Sequence, residues 1–72
     1  MYSEQEEILQ YAAQHVATEY DVLNHSKFTF DLYMSGLCYG IYISNKDYFD
    51  NRGLGLTEIH NDINSRIKSI LN

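Results

Sequence analysis

The residues 45–62, NKDYFDNRGLGLTEIHND, bring together the groups most capable of holding a small ligand. A twelve-residue calcium loop beginning at Asp47 would end on Glu58, the right residue type for a bidentate ligand. Its third position is Phe49, however, and its sixth is Arg52, where the loop needs an oxygen donor and a glycine. Phosphate binding would rest on Gly53-Leu54-Gly55 ahead of a helix, since free N–H groups at a helix start attract anions. The third glycine of a dinucleotide fingerprint is replaced by Glu58, and no Gly-Lys-Ser/Thr ending is present. Asp50, Glu58 and Asp62 would repel a phosphate. The glycines are therefore expected to turn the chain, with no metal and no cofactor bound here.

Nucleophilic chemistry has little more support. Cys38 is the single cysteine, and His15, His25 and His60 do not pair at helical spacing with one another. With no activating neighbour nearby, Cys38 reads as a small apolar filler. His15 and Glu19 are spaced for contact on a helix face. A chain of 72 residues has little room for a concave catalytic pocket. The expectation is a non-enzymatic protein.

Charge is distributed unevenly. Up to Ser26 the acids are Glu4, Glu6, Glu7, Glu19 and Asp21, with no Lys or Arg, whereas from Lys27 onward acids and bases balance. The whole excess of −5 thus belongs to the N-terminal segment. Affinity for nucleic acid comes largely from Lys and Arg displacing counterions, so direct binding to DNA or RNA is not expected. The lone thiol, the YSEQEE start and the lack of ~18 consecutive apolar residues lead to the expectation of a soluble, cytoplasmic protein.

Three elements would position these groups. Ser3 and Glu6 match a capping box, and Ile8, Ala12, Val16 and Tyr20 then recur at helical spacing, which predicts a first helix over Glu4–Tyr20. The run KFTFDLYMSGLCYGIYIS alternates with period two about Ser35-Gly36, which predicts a β-hairpin. Its pairs would be Leu32 with Tyr39, Phe30 with Ile41 and Phe28 with Ile43. Thr29, Tyr33, Cys38 and Tyr42 would lie on the far face. Thr57 is a suitable cap for a last helix striped by Ile59, Ile63, Ile67 and Ile70. The expected fold is a single α+β domain over residues 1–72, helix–hairpin–helix, with both helices on one face of the hairpin. So thin a sheet leaves its edges and far face open, which predicts a homodimer.

Seven tyrosines are many for this length, and Tyr2, Tyr11, Tyr33, Tyr42 and Tyr48 fall off the main apolar faces. Tyrosine brings large, rigid contact area with a polar tip, which suits interfaces. Together with the acids, the expected partner-binding set is Glu4, Glu6, Glu7, Tyr11, Glu19, Asp21, Tyr33, Tyr42, Asp47, Tyr48 and Asp50, facing a basic protein. In size, acidity, a proline-free α+β pattern and the Glu4/Glu6/Glu7 and Glu19/Asp21 clusters, the chain resembles the small acidic inhibitors encoded by bacteriophages. That resemblance implies a DNA mimic acting in the host cytoplasm on the DNA-binding surface of a host protein. A first helix of about 25 Å would face on the order of fifteen phosphates of duplex DNA, so two copies imitate it better than one. The competing reading is a small structural or regulatory subunit docking on a larger partner through its apolar and tyrosine-bearing surface.

Overall fold

A computed structural model describes residues 3–72; Tyr2 lies outside the described residues. Among the described residues five helices follow one another: α1 (Glu4–Thr18), α2 (Tyr20–Leu23), α3 (Lys27–Ser44), α4 (Lys46–Asn51) and α5 (Leu56–Leu71). Among the described residues there is no strand, so the domain is all-α rather than α+β.

The correction falls on residues 27–44, which form one continuous helix instead of a hairpin. The Ser26 side chain caps α3 by accepting the Thr29 backbone N–H at 3.1 Å. Gly36 has no positive φ, so the chain does not turn there. Met34, Cys38 and Ile41 form the buried face, with Phe30, Tyr33 and Leu37 packed around it, at helical rather than alternating spacing. The proposed strand partners Leu32 and Tyr39 are instead two turns apart on the opposite side, together with Phe28 and Ile43. Phe30, Met34, Leu37 and Ile41 thus keep the inward side expected of them, whereas Phe28, Leu32, Tyr39 and Ile43 face outward and Cys38, expected on the far face, lies in the core.

Two other helices fall near their expected places. The Ser3 Oγ accepts the Glu6 N–H at 3.1 Å and starts α1. Leu9, Ala12, Ala13 and Val16 are its buried stripe, and the small Ala12 and Ala13 let a neighbouring backbone come close. Near its end Thr18 donates its hydroxyl back to the Gln14 carbonyl at 2.8 Å, and the chain resumes as α2 beyond Glu19. Helix α5 begins two residues before Thr57 would have capped it. Gly55 is its N-cap, and the Glu58 carboxylate accepts the Gly55 N–H at 2.9 Å. Ile59, Ile63 and Ile67 are fully buried, each burial contributing about 1.5–3 kcal/mol.

Helix α1 has its largest contact with α5, and α3 packs on α5 as well. The single buried cluster runs through all four longer elements, with Phe49 of α4 closing it. Tyr20 meets Phe30 edge-on at 5.7 Å and ties α2 to α3. The molecule measures 35 × 26 × 15 Å, and its thinnest dimension is little more than one helix diameter of about 10–12 Å. Among the described residues no second layer covers the side of α3 that carries Phe28, Leu32, Tyr39 and Ile43.

Candidate partner-binding surface

The stretch that suggested ligand chemistry is a helix and its stop. Residues Lys46–Asn51 form α4, which ends in a Schellman motif. The Leu54 N–H reaches the Phe49 carbonyl at 2.9 Å and the Gly53 N–H reaches that of Asp50 at 3.1 Å. Gly53 takes the left-handed conformation the motif needs, φ 67°. Among the described residues no group of three or more His, Cys, Asp or Glu is placed to hold a metal.

The acids of α1 separate by helix face. Glu4, Glu7 and Tyr11 share the outward side, where Tyr11 is 73% exposed. Glu6 points the other way, toward α5. Its carboxylate accepts from Arg66 Nη2 at 2.8 Å, while Arg66 Nη1 donates to Gln10 Oε1 at 2.9 Å and Nε to Asp62. One half-buried guanidinium thus fastens the first long helix to the last, and Glu6 contributes to the fold as well as to the charge. Those hydrogen bonds, first the one to Asp62, raise the Arg66 pKa still further above its ordinary value. A groove of about 280 Å³ opens beside this clamp, lined by Glu6, Glu7, Gln10, Tyr11, Gln14 and Arg66.

The remaining candidates lie elsewhere. Glu19 and Asp21 are exposed at the α1–α2 junction, one helix length from Glu4. Asp47 is exposed in the first turn of α4. Asp50 accepts from both the Lys46 ammonium and the Tyr42 hydroxyl. Those two bonds hold its carboxyl below the usual range, and Asp50 in turn raises the pKa of Tyr42 and of Lys46. Tyr48 is half-buried, its hydroxyl 3.3 Å from Ser3 Oγ, and the Arg52 guanidinium lies 3.6 Å over its ring. Tyr33 is half-buried and stacks on His15 with ring centroids 6.4 Å apart. The structure therefore gathers Glu4, Glu7 and Tyr11 on one surface and ties Tyr42, Tyr48 and Asp50 into contacts around α4.

Gln10, Gln14 and Arg66 line the α1 groove and were not singled out from the sequence. The two glutamines were within reach of inspection, because they stand at i, i+4 to one another and at i+3 and i+7 from Glu7, on one side of the helix. The Asp62–Arg66 pair at i, i+4 was a local signal for one arm of the clamp, whereas its reach to Glu6 and Gln10 depends on a helix pairing across most of the chain.

Folding also brings Cys38 and His60 to one small groove of about 170 Å³, with Ser35, Leu56 and Thr57. The thiol is 3% exposed, and burial pushes it up to about 11, away from thiolate formation. Among the described residues no helix is long and apolar enough to cross a membrane.

No known protein family, curated protein or solved structure matches the chain.

Proposed function

We propose that this chain is a non-enzymatic protein-binding domain that presents the outer face of α1 to a basic partner. The carrying observation is Tyr11, a large aromatic left 73% exposed one turn beyond the acidic Glu7, at the rim of a groove lined by polar side chains. A tyrosine ring beside the Glu7 carboxylate suits a Lys or Arg side chain, through cation–π and charge-assisted contacts together. The groove glutamines supply further acceptors. Glu19 and Asp21 form a separate acidic patch about 22 Å from Glu4 along the helix axis, so an extended basic partner can meet both. Excess negative charge with this layout supports an inhibitor that occupies the DNA-binding surface of a host protein in the host cytoplasm.

The test is capture of basic proteins from a bacterial lysate by the wild-type chain and by an E4K/E7K/Y11A variant, followed by competition with duplex DNA. We expect capture by the wild type only, displacement by DNA, and loss near 1 M salt, where the screening length is about 3 Å. Capture that survives both the variant and high salt would overturn this reading.

A further inference from the structure

We propose that the outer face of α3 is a surface on which a second copy of this chain docks, with Gly36 and Gly40 at the point where the two helices cross. Phe28, Leu32, Tyr39 and Ile43 are 78%, 64%, 57% and 48% exposed and form one stripe on the side of α3 opposite Met34, Cys38 and Ile41. The only charged residues of the helix, Lys27 and Asp31, lie off this stripe in its first turns. Isolated apolar residues on a surface need no explanation, but a continuous stripe along five turns does.

The glycines point to the occupant. Gly36 and Gly40 stand one turn apart beside the stripe, and a Cβ built on either meets nothing within 4 Å. Nothing among the described residues requires their small size, and glycine is unfavourable in a helix interior. Small residues spaced by one turn let a second helix backbone approach closely. The groove alongside them, about 460 Å³, continues over Ile8, Leu37 and Ile41 and is open.

Charge and area favour a copy of the chain itself. At a net charge of −5, two copies repel wherever their acids meet, and the α3 stripe is a face without acids. A basic partner gains nothing from a charge-free face. With large side chains covering about 150–250 Å² each, the exposed fractions correspond to roughly 500 Å² per copy. Two copies then bury on the order of 1,000 Å², about the threshold for a specific interface, before the glycine crossing and Leu37 are added. The arrangement is isologous, the stripe of each copy covering that of the other. It stands independently of what α1 binds.

Mass by sedimentation or light scattering over a micromolar concentration series tests the pairing. The wild type should reach twice its 8.4 kDa, with little dependence on salt. L32E/Y39E should give the mass of a single chain with unchanged helical circular dichroism. G36A/G40A, which cannot clash within the chain, should keep or raise helicity while weakening association at least tenfold. E4K/E7K/Y11A should pair as the wild type does, so failure of this proposal is distinguishable from failure of the α1 reading. A single-chain mass for the wild type at high micromolar concentration would overturn it, leaving the stripe to a different protein. A dimer that persists unweakened in the glycine variant would overturn it as well.

Discussion

Helices α3 and α5 are nearly equal in length, 18 and 16 residues, and both pack into the same core, yet they differ in what they show to water. Helix α5 buries Ile59, Ile63 and Ile67 and turns Thr57, Glu58, Asn61, Ser65 and Lys68 outward. Its exposed apolar residues Leu56, Ile70 and Leu71 are confined to its two ends, where Ile70 falls outside the buried stripe expected for it. Helix α3 buries Met34, Cys38 and Ile41 and turns Phe28, Leu32, Tyr39 and Ile43 outward. One stripe of apolar residues is enough to fold a helix onto its neighbour, and α5 has one. The second stripe of α3 adds nothing to the core of its own chain, so its explanation lies outside that core.

The largest test of the contrast is truncation on each side. Met34→Ala or Ile63→Ala should cost about 2–5 kcal/mol in chemical denaturation, because each side chain is fully enclosed. Phe28→Ala, measured dilute enough to keep copies apart, should stay within about 0.5 kcal/mol. Equal losses on the two sides of α3 would break the comparison.

A smaller effect comes from Cys38, on the inner side. Its pKa is raised from 9.0 to about 11 in the folded chain, so the neutral thiol favours the native state. That contribution, on the order of 2 kcal/mol, is fully present below pH 9 and is lost as pH rises through about 11. Cys38→Ala should flatten the decline of thermal stability across that window, and an identical decline in both proteins would show the thiol to be exposed.

The smallest effect is at the start of α3. Ser26→Ala removes the cap on the Thr29 N–H and should lower stability by about 1 kcal/mol, with frayed helical circular dichroism. A hairpin beginning at Lys27 would tolerate the change.

The same contrast explains what the sequence made legible. Helix α5 reads correctly because its isoleucines alternate with polar residues at helical period, and α1 because Ser3 marks its start and Ala12, Ala13 and Val16 share a face. In α3 both sides are apolar, so the pattern fits a period of two as well as one of 3.6. Phe28, Phe30, Leu32 and Met34 then look like one face of a strand when they belong to opposite sides of a helix. Ser26, three residues before Thr29, was the local signal for the helix, and the Ser35-Gly36 pair masked it. On α1 the acidic segment was legible as charge, but not the division that sends Glu6 to Arg66 and leaves Glu4 and Glu7 outward. That division depends on where α5 comes to lie.

The pairing of α1 with α5 has a consequence for how the chain is made. Leu9, Ala13 and Val16 are made before Ile59, Ile63 and Ile67, the residues that cover them in the folded chain. Contacts of such long sequence separation form late, since closing the intervening loop carries an entropic cost. The fold therefore closes as one unit only once α5 has been made, and until then the apolar stripe of α1 lacks its cover.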